Sequence, residues 1–63
     1  MKNYEYFNKI EHRNASAEEQ ASAMIEYRRH SEDFTLPESE EDIERLRQAM
    51  IDWLMEEKDD GKN

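Results

Sequence analysis

The chain has 63 residues, of which 41% are charged, with a formal net charge of −8 and no cysteine. That length supports one domain at most, and a domain so small buries only about 60% of the surface its unfolded chain exposes. Disulfides and thiolate metal sites are excluded, and the anionic balance opposes direct binding to nucleic acid or anionic lipid.

The charge is unevenly placed. Residues 1–30 are neutral, with five acids against five bases, and the whole excess follows, where twelve acids face four bases. No apolar run is long enough to span a bilayer. The two histidines, His12 and His30, lie in no metal-ligand spacing, so no metal or other cofactor is expected. A small chain without staples gains most from self-association, and a homodimer with a shared core is the expected state.

From Asn3 to Glu11 the sequence reads NYEYFNKIE. Tyr4, Tyr6 and Ile10 share one parity, and with the aromatic enrichment this favours a short strand. One or two helical turns, which would also bring Tyr6 and Phe7 to Ile10, are the alternative. A lone strand needs a partner edge, and the same strand of a second copy would supply it.

Ser16 followed by Glu19 has the spacing of a capping box, so a helix is expected from Ala17 through His30. Its apolar face comprises Ala17, Ala21, Met24 and Ile25, with Arg28 beside them. Glu18 and Glu19 suit the positive end of the dipole, and Arg28, Arg29 and His30 suit the negative end. The segment SEDFTLP from Ser31 to Pro37 breaks the pattern. It reads as a connector anchored by Phe34 and Leu36, or as a second candidate strand over 32–36.

The longest periodic stretch runs from Ser39 to Glu57 and predicts the main helix. Ser39 is the expected cap, Glu41 and Arg45 an i,i+4 pair, and Ile43, Leu46, Met50, Trp53 and Leu54 the stripe expected to form the dimer core. Ile51 and Met55 lie off that stripe. With Tyr6 and Phe7 they are expected to flank a cleft for a protein partner, since methionine adapts to varied ligands. Residues 1–57 thus form one small dimerising domain, and 58–63 a disordered acidic tail.

Little here carries catalytic chemistry. Glu11 with His12 and Glu26 with His30 are the acid–imidazole pairings, and neither comes with a nucleophile, so no enzyme is expected. The acids from Glu38 to Glu44 fit either a nucleic-acid mimic or, more simply, a first helical turn that complements its dipole. The order strand, helix, helix matches the ribbon-helix-helix topology, but a second helix opening with acids does not suit phosphate.

The whole chain, from its opening MKNYEYFNKIEHRN to its closing RLRQAMIDWLMEEKDDGKN, resembles a family of small early proteins of lambdoid temperate bacteriophages, encoded between the recombination and excision genes. The resemblance implies a helical homodimer with little strand, made in the cytoplasm of an infected bacterium, that favours lytic over lysogenic development without enzymatic activity. It gives no functional residues to carry over. The expected fold is therefore mainly α, a strand-helix-helix chain forming an intertwined homodimer. The expected function is a non-enzymatic factor that modulates host or phage development through a host or phage protein partner, with no direct contact to nucleic acid or membrane. The alternative is an acidic mimic that inhibits a nucleic-acid-binding protein of the host.

Overall fold

The computed structural model describes residues 1–59, which form three helices: α1 (Asn3–Glu11), α2 (Ala17–Arg29) and α3 (Glu40–Leu54). The fold is mainly α. Among the described residues the only strand-type pairing is an isolated antiparallel bridge between Lys2 and Glu57.

α2 starts where its capping box dictates. The Glu19 N–H donates to Ser16 Oγ at 3.1 Å, and the Ser16 N–H donates back to Glu19 Oε1 at 2.8 Å. These bonds occupy two amides that the first turn would otherwise leave unpaired. The Glu19 carboxyl is held below its ordinary value by the Ser16 backbone N–H first and by the Ser16 hydroxyl second. α3 starts on Ser39, whose Oγ accepts from the Asp42 N–H at 3.4 Å, and Glu41 pairs with Arg45 at 3.1 Å.

α2 and α3 pack antiparallel. Ala17 and Ala21 at the start of α2 meet Leu54 at the end of α3, and Ile25 lies beside Ile43 near the other end. Alanines on α2 let the α3 backbone approach closely, and Leu54 fills the space this leaves. All five side chains are buried, and Arg47 Nε donates across the helix pair to Ser22 Oγ at 3.2 Å. Tyr4, Phe7, Met24, Met50 and Ile51 close around the alanine–Leu54 cluster. Leu54 and Ile43, expected in a core between two copies, are thus buried within a single chain.

The stretch expected as a strand is α1. Tyr4 and Phe7, three residues apart, turn to the core while Ile10 remains half exposed, so the spacing that decides burial is helical. A helix satisfies its own amides, whereas a strand here would need an edge that the α2–α3 pair does not offer. Both ends of α1 are anchored. The Lys2 N–H donates to Glu5 Oε1 at 2.7 Å, and at the other end His12 takes the left-handed conformation (φ 55°) while the Arg13 N–H bonds back to the Asn8 carbonyl at 3.0 Å.

The second candidate strand, 32–36, has no strand pairing either. Phe34 folds back on the end of α2, its ring 5.9 Å from that of Tyr27 and beneath the Arg28 guanidinium at 5.3 Å. It remains 44% exposed and so anchors outside the core, whereas Leu36 is half-buried.

α3 stops at Leu54 rather than Glu57, and donors from the start of the chain engage carbonyls at its end and just beyond it. Asn3 Nδ2 donates to the Trp53 carbonyl at 2.7 Å, Lys2 Nζ to the Met55 carbonyl at 3.2 Å, and the Asn3 N–H to the Glu56 carbonyl at 3.0 Å. The last turn of α3 holds no basic residue of its own, so Lys2 supplies the cation at the negative end of the dipole. The Lys58 N–H then bonds to the Met1 carbonyl at 2.8 Å. Of the tail expected to be disordered, Lys58 is therefore tied to the fold, and residues 60–63 lie outside the described residues.

One polar cluster sits beneath α1. Gln20, almost fully buried, donates through Nε2 to the Tyr4 carbonyl at 2.9 Å and to Asn8 Oδ1 at 3.0 Å. Asn8 closes a two-bond ring with Ala15, accepting from its N–H at 3.0 Å and donating to its carbonyl at 2.8 Å. These bonds fix α1 against the start of α2 by directional contacts.

Candidate functional site

Anchoring α1 across the end of α3 leaves a cleft of about 370 Å³ between them, lined by Asn3, Tyr6, Phe7, Trp53 and the segment from Glu56 to Asp59. Its floor is aromatic. The rings of Phe7 and Trp53 lie 5.8 Å apart and tilted by 46°, and Tyr6 meets Phe7 edge-on at 6.0 Å. Both distances fall in the range where ring quadrupoles attract. Trp53 is nevertheless 47% exposed.

The rim is charged. Glu56 and Glu57 follow α3 directly, Glu57 Oε2 lies 3.4 Å from the amine of Met1, and Lys58 Nζ sits 4.4 Å over the Tyr6 ring. The cleft thus has an apolar base, carboxylates at its edge and an ammonium of the chain's own stacked on one of its rings.

The residues singled out from sequence divide between the cleft and the core. Tyr6 and Phe7 come together as expected for a cleft, and Trp53 joins them. Ile51 turns inward and packs on the Leu54 cluster, while Met55 is 45% exposed and does not line the cleft. Leu46 and Met50 are half-buried on α3, two turns and one turn before Trp53 respectively, so the three form an open strip at i, i+4 and i+7. Sequence reasoning missed Asn3 and Lys58. Neither polar residue lies in an apolar period, and only proximity in three dimensions brings them to the site.

The other candidates stay on the surface. His12 closes α1, and His30 lies 3.5 Å from Glu26, both histidines exposed. Among the described residues no three His, Asp or Glu side chains converge as metal ligands would, and no helix is long and apolar enough to cross a membrane. The acids at the start of α3 are partly neutralised locally, with Glu41 and Asp42 on Arg45 at 3.1 and 3.8 Å and Glu44 on Arg47 at 3.7 Å.

Comparison with known proteins adds no further assignment, since no family model, curated protein or solved structure matches this chain.

Proposed function

We propose that the chain is a non-enzymatic protein-interaction factor that works as a homodimer and docks a protein partner through the aromatic cleft. One observation carries this reading. A tryptophan, the costliest side chain to leave in water, stays half exposed against the Phe7 ring, which Tyr6 in turn meets edge-on, in a chain that is 41% charged. Tryptophan and tyrosine are also the residues that most often anchor protein interfaces.

Self-association is supported by the open strip of Leu46, Met50 and Trp53, and by how few large apolar side chains one chain buries fully. Only Ile25, Ile43 and Leu54 are so covered among the described residues. A second copy pairing along α3 at Leu46 and Met50 would cover that part of the strip while leaving Trp53, Tyr6 and the carboxylate rim at its border. The acidic-mimic alternative has weaker support, because Glu41, Asp42 and Glu44, three of the five carboxylates that would imitate phosphate, pair with Arg45 and Arg47.

The setting we propose is the cytoplasm of a phage-infected bacterium, where the factor would shift development toward lysis. It rests on the resemblance of the whole sequence to the early phage proteins. Two substitutions test the reading in infected cells, each with circular dichroism confirming the fold. Tyr6→Gln should abolish the developmental effect while the protein stays dimeric, and Leu46→Lys should yield monomers in sedimentation. Full effect from a folded protein that lacks both Tyr6 and Trp53 would overturn it.

A further inference from the structure

The cleft already holds one cation. Lys58 reaches the Tyr6 face, Nζ 4.4 Å from the ring centroid, because its backbone N–H is bonded to the Met1 carbonyl. The ring's negative face attracts the ammonium, and Glu56 and Glu57 at the same opening add full charges of the same sign. With Lys58 in place the opening still measures about 370 Å³. That is the small end of the range for ligand sites, suited to one or two side chains and not to a whole helix face.

We infer that this cleft recognises a lysine or arginine side chain presented by a basic, amphipathic segment of a partner protein, with Lys58 as the resident cation it displaces. The inference rests on the reading of the cleft as a docking surface and adds the chemistry of what docks there. Charge decides between occupants. A second copy of this chain carries the same net charge of −8 and would bring carboxylates toward Glu56 and Glu57, whereas a basic segment is complementary to both the rim and the rings. The aliphatic stem of the incoming residue would lie along Phe7 and Trp53 while its head meets the carboxylates, the arrangement long cationic side chains adopt wherever apolar surface borders charge.

Trp53 is the only tryptophan, so its fluorescence reports on this cleft alone. The probes are a synthetic amphipathic helical peptide with leucine anchors and one central lysine, and the same peptide with that lysine acetylated. The lysine peptide should shift Trp53 emission saturably and bind at least ~5-fold more tightly than the acetylated one, the size expected for a cation on an aromatic face. Binding should weaken as salt rises from about 0.05 M to about 0.5 M. Lys58→Met should tighten binding by removing the competitor. Glu56→Gln, which keeps the backbone bonds of Glu56 to Asn3 and Trp53, should weaken it.

Equal binding of the two peptides would overturn the cation preference and leave the docking surface standing. If neither peptide alters the emission and it changes with protein concentration alone, a second copy covers the cleft and the inference fails. If neither peptide binds and folded variants lacking Tyr6 and Trp53 keep their full effect in cells, the docking reading fails with it.

Discussion

The side-chain amide of Asn3 donates to the backbone carbonyl of Trp53 at 2.7 Å, joining the first turn of the first helix to the last turn of the third. This bond closes the chain on itself. It adds a second donor to a carbonyl that already accepts the Glu56 N–H at 3.1 Å, and it fixes α1 at the height where Phe7 meets the Trp53 ring. Asn3 is itself buried, so its amide has little water to fall back on.

Asn3→Ala should therefore cost about 1–2 kcal/mol, the range for losing a helix-terminal bond with a buried partner. In a domain of this size each kcal/mol lowers Tm by about 4–8 °C. Thermal denaturation followed at 222 nm measures this, and a Tm unchanged from wild type would show that the backbone bond from Asn3 to Glu56 suffices alone.

Leu54 and Trp53 are neighbours in sequence with opposite environments, fully buried and 47% exposed. Leu54→Ala should cost about 2–5 kcal/mol, enough to unfold a marginal domain. Trp53→Ala removes a larger side chain yet should cost the isolated chain less. Urea titrations at low protein concentration compare the two, and the reverse ranking would mean that Trp53 is covered even in the monomer.

Asn8→Ala should destabilise the fold by about 1–3 kcal/mol, because it strips partners from the Ala15 N–H, the Ala15 carbonyl and one proton of Gln20 together. Amide hydrogen exchange at Ala15 provides a local readout. Its protection should fall more than that of the amides in the middle of α3.

Glu19 gives the start of α2 a pH dependence of known sign. Its carboxyl is held below its ordinary value near 4.5 by the two Ser16 bonds, so its contribution is complete above that value and is lost as pH falls through the lower, folded one. Glu19→Gln keeps an acceptor but does not titrate. The Tm advantage of wild type over this variant should therefore shrink as pH is lowered from 7 to 3. A constant difference across that range would place the stabilising interaction elsewhere.

Much of the fold was legible in local sequence chemistry. Ser16 with Glu19, and Ser39, mark the two helix starts within a residue, because a cap acts over three or four positions and needs no distant partner. Likewise the periods of Ala17, Ala21 and Ile25 on α2 and of Ile43 and Leu54 on α3 mark buried faces, although the α3 stripe, with Leu46, Met50 and Trp53, was expected to meet a second copy. Gln20 falls on the same α2 face by spacing, and its polar character alone concealed it.

Tertiary structure decided the rest. For residues 3–11 the alternating aromatics favour a strand over a helix, yet the segment is α1, and a strand there would have needed an edge to pair with. The α2–α3 pair offers none, and its open end instead offers carbonyls for Lys2 and Asn3. The same closure set Trp53 beside Phe7 and brought Lys58 onto Tyr6. None of these follows from periodicity, since each depends on two segments about 50 residues apart in sequence meeting in space, and a local pattern carries no information about which distant segment will supply the partner.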